Sequence, residues 1–378
     1  MSHIVKENIK TLVIKIGTSL LSGQRAFEGQ VMEAMVKELC RLKSEHDINI
    51  LIVTSGAVGC GMNTLEMSTR PTSLPAKQAV AAVGQATLMH YYETLFLLYG
   101  EKQNLHTAQV LLNAADLDNR QSYLNVRNTL NTLFNMRCII PIINENDSTA
   151  TEQLRFGDND TLAAKIAAKN NADLLIILSD VDGLYDKNPQ EFPDAKLITE
   201  VHDITSELLT NAGGAGTICS TGGMRTKLEA VKIAFAAGVP VVIANGHRKN
   251  IINDVLNNKA PKTIFTSSRQ VLSHRKRWIA FGRTIHGTLI VDDGAKNALC
   301  NLGTSLLSAG VTDVRGNFEA GDAVEISDSK GIPVARALVN YNSLDLRRIK
   351  GRRSQEIESI LGHKDYDVVV HRNNLVLL

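Results

Sequence analysis

Short apolar runs recur along the first two thirds of the chain, each closed by a turn of glycine, serine, asparagine or aspartate. Thr11–Ile16 (TLVIKI), Ile48–Val53 (INILIV), a weaker His106–Leu112, Cys138–Ile143 (CIIPII), Asp173–Leu178 (DLLIIL) and Val239–Ala244 (VPVVIA) are short and nearly continuous. That pattern predicts strands buried on both faces. Helical periodicity fills the intervals. Gln30–Ser44 sets Val31, Met35, Leu39 and Leu42 on one stripe, and Asn119–Met136, Thr161–Lys169 and Leu228–Ala237 follow the same rule, the last stopped by Gly238. Pro75–Tyr99 has so wide an apolar face that it reads as a buried helix or a subunit contact.

Strand–helix alternation to about residue 265 predicts an α/β fold, a three-layer sandwich with a mainly parallel central sheet. Beyond Arg275-Lys276-Arg277-Trp278 the texture changes to short strands between Gly and Asp turns: Thr288–Val291, Val311–Val314, Ala323–Ile326 and Val334–Leu338. The expected organisation is a first domain over 1–265, a linker over 266–279, a small, mostly-β barrel over 280–365 and a tail over 366–378.

Composition narrows the class. The 378 residues suffice for two domains with a sizeable core. With 44% hydrophobic and 21% charged residues, the chain is a soluble globular protein. A net charge of +2 gives no strong attraction to nucleic acid or an acidic membrane. Five cysteines stand singly (Cys40, Cys60, Cys138, Cys219, Cys300), which argues against a disulfide framework or a zinc site and fits a reducing cytoplasm. The N-terminus lacks the long apolar core of a signal peptide, and no apolar run approaches the ~18 residues that cross a membrane.

Chemistry-bearing residues collect after the apolar runs. Lys15 interrupts the first, where its ammonium must reach water or an anion, and Gly17 beyond it allows close backbone approach. Thr54–Gly61 (TSGAVGCG) has GxxGxG spacing, neither a dinucleotide fingerprint nor a P-loop; it is either a tight strand-to-helix turn or a cradle offering N–H groups and the Ser55 hydroxyl. Two polar clusters, Asn144/Asn146/Asp147 and Asp158/Asn159/Asp160, share one connection between a strand and a helix. In open α/β sheets ligands bind outside such strand ends, although helix capping would account for one of these residues. Ser179–Tyr185 (SDVDGLY) carries an Asp-Gly turn signal. The glycine-dense stretch Asn211–Gly223 brings Met224, Arg225, Thr226 and Lys227 to a helix N-terminus, a favourable anion site. No Ser/His/Asp order and no metal-ligating His/Cys cluster is evident, so no residue is expected to ligate a metal directly. Lysines, N–H cradles and carboxylates together are what phosphoryl transfer needs.

The motifs VIKIGTS (Val13–Ser19), VTSGAVGCG (Val53–Gly61), INENDSTA (Ile143–Ala150), FGDNDTLAA (Phe156–Ala164), SDVDGLY and GTICSTGGMRTK (Gly216–Lys227) occur in this order. Together they resemble the amino acid kinase family, and within it the members that phosphorylate the side-chain carboxylate of glutamate. GNFEAGDAVEI (Gly316–Ile326) and ARALVNYNSLDLRRIKG (Ala335–Gly351) resemble a PUA domain. The resemblance implies ATP-dependent conversion of L-glutamate to L-glutamyl 5-phosphate, the first step of proline biosynthesis, with Mg²⁺ bridging the nucleotide oxygens. It implies that Lys15 and Lys227 contact the ATP phosphates and that Asp160 holds both lysines. Ser55, Asp147, Asn159 and, more weakly, Asn144 would bind glutamate. Ser179, Asp180 and the stretch Thr221, Gly222, Gly223, Met224, Arg225, Thr226 and Lys227 would line the nucleotide site, while Gly17, Gly56 and Gly59 offer donors or room for phosphate. It further implies feedback inhibition by proline and a homo-oligomer.

Two rivals stand beside this reading. Another family member would phosphorylate a different carboxylate, a carbamate or a phosphate. Alternatively the chain binds RNA, since PUA domains occur in RNA-modifying proteins and Arg347–Arg353 holds five basic residues in seven. The near-neutral charge and 4% aromatic content weigh against RNA.

Overall fold

A computed structural model describes residues 4, 6–21, 29–149, 159–189, 191–205, 208, 223–266 and 285–378. The chain divides into two compact units, Met1–Val271 and Leu272–Leu378.

In the first unit the apolar runs form strands β1 (Thr11–Ile16), β2 (Asn49–Val53), β3 (His106–Leu112), β4 (Ile139–Glu145), β5 (Leu174–Ser179) and β9 (Val241–Asn245). Three short ones, β6 (Leu184–Tyr185), β7 (Leu197–Ile198) and β8 (Glu200–Val201), precede β9, and β10 (Thr263–Phe265) follows it. An eight-stranded sheet runs β3-β4-β2-β1-β5-β9-β10-β8, with β9–β10 the antiparallel pair among parallel ones. The helices are α1 (Thr18–Leu21), α2 (Gly29–Glu45), α3 (Ala57–Thr64), α4 (Leu74–Tyr99), α5 (Ala114–Asp118), α6 (Arg120–Asn135), α7 (Asn159–Lys169), α8 (Met224–Ala236) and α9 (Ile251–Leu256).

The central strands are covered on both sides. Leu12, Ile14 and Ile16 of β1 pack with α2, α4 and α9, whereas Val13 packs with α7 and α8. Alternation then assigns Lys15 to the α7/α8 face, at the carboxyl end of the strand. The same rule takes Leu51 and Val53 of β2, and Leu175 and Ile177 of β5, to that face. Small residues bring the two helices of this face close: Ala163, Ala164 and Ala167 on α7, Ala230 and Ala234 on α8, all fully buried.

The GxxGxG turn has a packing role. A Cβ at Gly61 would lie 1.9 Å from the Val80 carbonyl oxygen, and one at Gly84 would lie 1.7 Å from that of Ala57. Helices α3 and α4 therefore touch backbone to backbone, which only glycine allows at these two positions.

The helix starts differ from the periodic pattern. The expected starts were Thr161 and Leu228, but α7 begins at Asn159 and α8 at Met224. Asp158 or Asn159 is the capping candidate in sequence. Asn159 and Asp160 instead lie in the first turn of α7, with side chains that bind partners outside the helix.

In the second unit β11 (Ile285–Val291), β12 (Val311–Gly316), β13 (Ala323–Ser327), β14 (Pro333–Leu338) and β15 (Leu375–Leu377) form one sheet in the order β12-β11-β13-β14-β15. Helices α10 (Asp293–Asn301), α11 (Ser343–Ile349) and α12 (Ile357–Leu361) accompany it. The expected tail, 366–378, contributes β15 to this sheet. Val369 and Val370 are fully buried, and β15 pairs antiparallel with β14, giving its open edge a partner. The basic run Arg347–Arg353 serves the unit's own structure in part. Arg347 donates to the Gly316 carbonyl at 2.6 Å, Arg348 donates to the Ile360 carbonyl, and Lys350 pairs with Asp313 at 3.1 Å.

Gly84→Ala is expected to lower unfolding free energy by about 1–3 kcal/mol, the usual cost of overpacking, read from urea denaturation. An unchanged midpoint would show that α3 and α4 are not in backbone contact.

Candidate active site

The sheet's alternation and the first turns of α7 and α8 bring three charges together. Asp160 Oδ1 lies 2.7 Å from Lys15 Nζ, and Asp160 Oδ2 lies 3.2 Å from Lys227 Nζ. Asp160 has no exposure, and the lysines keep only 3% and 6%. Burying charge is tolerated when it is paired and hydrogen-bonded. The trio carries one net positive charge, which suits it to an incoming anion. Gly17 adjoins it: a Cβ there would stand 3.8 Å from Lys15 Nζ and 3.2 Å from the Leu178 carbonyl oxygen. The Gly17 N–H donates to that carbonyl at 3.3 Å, so of the two expected contributions, a donor or room, the geometry favours room beside Lys15.

Beside the trio, Asn159 gathers the end of β2 and the end of β4. Its Nδ2 lies 2.7 Å from the Thr54 carbonyl oxygen, 3.0 Å from Ser55 Oγ and 2.9 Å from Asn144 Oδ1. Asn144 Oδ1 also accepts the Glu145 N–H at 2.9 Å. Two atoms of this cluster, Asn144 Nδ2 and Asn159 Oδ1, are buried without a partner among the described residues. Each such group costs roughly 1–3 kcal/mol while unsatisfied. One is a donor and the other an acceptor, so a ligand bearing both a carboxylate and an ammonium matches them. Gly56, at φ +98°, makes the left-handed turn that lets Ser55 leave the strand for this cluster. Asp147 sits half-buried in the turn after β4, its N–H donating to the Glu145 carbonyl at 2.9 Å.

On the other flank of β1, Ser179 ends β5 and its hydroxyl donates to Asp180 at 3.0 Å. Two residues on, Asp182 is gripped by Arg248 through Nε and a terminal nitrogen, both at 2.8 Å. The Arg248 guanidinium holds the Asp182 carboxyl below the usual carboxylate range. Arg248 gave no sequence signal, since it stands in an ordinary polar turn, Gly246–Asn250, beyond a strand. A Cβ at Gly183 would fall 2.3 Å from Thr263 Oγ1, so the Asp-Gly turn is fixed by close packing, as its turn chemistry suggested.

At the head of α8, Gly223 is the cap and the Thr226 hydroxyl donates to its carbonyl at 2.9 Å. Met224 is half-buried. Arg225 is exposed and faces Glu229 at 3.4 Å along the helix. Thr221 and Gly222 lie outside the described residues, as does Asp158.

The description "amino acid kinase family" matches residues 10–245, more than half of the chain. This chain belongs to the amino acid kinase family. A PUA domain follows over residues 287–361. The glutamate 5-kinase of Caldanaerobacter subterraneus subsp. tengcongensis is 45% identical over 97% of this chain and 97% of its own length. That of Moorella thermoacetica is 46% identical, over 98% of this chain and 96% of its own. Among solved structures, a carbamate kinase from Giardia lamblia bound to AMP-PNP aligns with 69% of this chain and 100% of its own, at TM-score 0.49 and 17% identity.

Replacing Asp160 by Asn leaves two buried ammonium groups without their shared carboxylate. The expected cost is about 3–5 kcal/mol of stability, measured by denaturant unfolding. A loss below ~1 kcal/mol would mean that the trio is hydrated and weakly coupled.

Proposed function

We propose that the first unit transfers the γ-phosphoryl group of ATP to the side-chain carboxylate of L-glutamate, giving L-glutamyl 5-phosphate and ADP, the reaction that opens proline biosynthesis. One observation carries this reading: Lys15 and Lys227, far apart in sequence, meet on Asp160. Next to them Asn159, Ser55 and Asn144 form a polar cluster with an unpartnered donor and acceptor. The near-full-length likeness to glutamate 5-kinases supports the choice of acceptor.

A glutamate carboxylate, with an ordinary pKa of about 4.3, is already ionised at neutral pH. One of its oxygens attacks the γ-phosphorus while the bond from that phosphorus to the β-bridging oxygen breaks, and ADP leaves with the electron pair. No proton has to be removed. Lys15 and Lys227 neutralise charge on the migrating group and on the β-phosphate, and Asp160 keeps both ammonium groups aimed at it. Ser55, Asn159 and Asn144 hold the acceptor in line, with Asp147 against its ammonium. Ser179, Asp180 and the Thr221–Lys227 stretch hold the nucleotide, with Gly17 leaving space for a phosphate.

Magnesium is part of the proposal. Among the described residues no group of three or more His, Cys, Asp or Glu side chains could hold an ion, and Asp160 is engaged by two lysines. The donor set therefore suits a cation bound chiefly to the nucleotide's own phosphate oxygens. Mg²⁺ would supply further charge neutralisation there. Inhibition by proline, a homo-oligomer and a cytoplasmic location belong to the same reading. No helix among the described residues is long and apolar enough to cross a membrane.

Hydroxylamine traps an acyl phosphate as a hydroxamate, so the purified chain with ATP and glutamate is expected to yield glutamyl hydroxamate. A panel of other carboxylates, carbamate and phosphates should give less turnover, and inertness toward glutamate would remove the assignment. Lys15→Ala and Lys227→Ala are each expected to lower turnover by at least about 10²-fold while circular dichroism shows a folded chain. Near-normal turnover in both variants would remove the lysines from the chemistry. Adding proline across a glutamate saturation curve tests the inhibition.

A further inference from the structure

The turn that carries Ser55 is held from behind by a pair of hydroxyls that the proposed chemistry does not use. Ile50 and Ile52 of β2 face the α4 side of the sheet, and Thr54 continues that alternation. Its Oγ1 lies 2.9 Å from the hydroxyl oxygen of Tyr92, in the C-terminal third of α4, and neither residue has any exposure. The Thr54 hydroxyl also lies 3.2 Å from the Ser55 carbonyl, which can accept its proton when Tyr92 donates within the pair. Burial pushes the Tyr92 phenol up, which keeps its proton in place. The Thr54 carbonyl accepts Asn159 Nδ2 at 2.7 Å, and the same nitrogen lies 3.0 Å from Ser55 Oγ. Thr54 thus joins α4 on one face of the sheet to the polar cluster on the other.

A valine and a phenylalanine would fill the same space without burying two hydroxyls, and such exchanges are often nearly neutral for stability. Packing alone needs the shape. The hydroxyls add direction, because they fix the rotamer of a β-branched residue at the point where the strand ends. Tyr92 is a firm reference for this, since its helix meets α3 backbone to backbone at Gly84 and Ala57, just past Ser55.

We propose that Tyr92 is a positioning residue for the acceptor substrate: acting through Thr54, it orients the Thr54–Gly56 turn so that Ser55 and Asn159 meet glutamate, without touching glutamate itself. The inference rests on the glutamate-kinase reading above.

Steady-state kinetics of the full chain, with glutamate and ATP varied separately, tests it in Tyr92→Phe, Thr54→Val and Thr54→Ser. Tyr92→Phe and Thr54→Val are expected to raise KM for glutamate about three- to tenfold, the factor that one net hydrogen bond is worth. KM for ATP should stay within about twofold and Tm within a few degrees. Thr54→Ser, which keeps a hydroxyl, should return KM for glutamate toward the wild-type value. A purely structural pair would instead lower Tm and the yield of active enzyme while leaving both KM values alone, and that result overturns the proposal. Glutamate turnover with an unchanged KM in Tyr92→Phe removes this inference alone. Inertness of the wild-type chain toward glutamate removes the underlying reading with it.

Discussion

The first unit depends on one buried carboxylate. Asp160 has no exposure and lies within ion-pair distance of two nearly buried lysines. Without it, two like charges would be held together in a low-dielectric interior, which is costly. Each lysine also sits where local rules would not place it. Lys15 occupies a strand whose other inward positions are apolar. Lys227 lies in the first turn of α8, where the helix dipole disfavours a cation. Asp160, in the first turn of α7, follows the dipole rule and compensates both departures. Local rules tend to give way where a function is served, and here two breaches converge on one carboxylate.

Sheet order explains why the two halves of the site lie on opposite flanks of Lys15. β1 has β2 and β4 on one side and β5 and β9 on the other. The connections leaving β1 and β5 diverge, which opens a crevice at the carboxyl ends of the strands. Ser55 and Asn144 come from the first side and Ser179 from the second. Lys15 stands between them at the boundary where a phosphoryl group would cross. Gly61 and Gly84 let α3 and α4 pack backbone to backbone on the β2 flank.

Much of this was legible in the residues. Continuous apolar runs located the central strands, because burial on both faces leaves no alternation to confuse with a helix. Lys15, Asp160 and Lys227 stood out as charges at strand ends and helix starts. Their pairing was legible only through the family resemblance: nothing local in Asp160 says that it meets Lys227. The start of α7 was misplaced because Asn159 carries the chemistry of a cap but directs it outside its own backbone. Gly61 and Gly84 read as turn or helix glycines, although their reason is a contact between two helices. The carboxyl-terminal segment read as a tail because β15 is short and gains its stability from the edge of β14. Thr54 and Tyr92 gave no signal, since one threonine after an apolar run and one tyrosine in a long helix are ordinary.

An acceptor that is already ionised also accounts for what surrounds it. A hydroxyl acceptor would need a base within reach, whereas a carboxylate needs only to be placed in line and partly stripped of water. A cation fixed directly on the acceptor oxygens would stabilise the ground state and weaken their attack. Neutral donors orient the group at less cost to its nucleophilicity. In the proposed reaction Asn144 Nδ2 and the Ser55 hydroxyl would be such donors, while the two cations gather one step away, around Asp160. A division between neutral donors for the acceptor carboxylate and cations at β1 and α8 would follow from differential binding: positive charge acts most where negative charge moves during the transfer, and least on the oxygen that must attack.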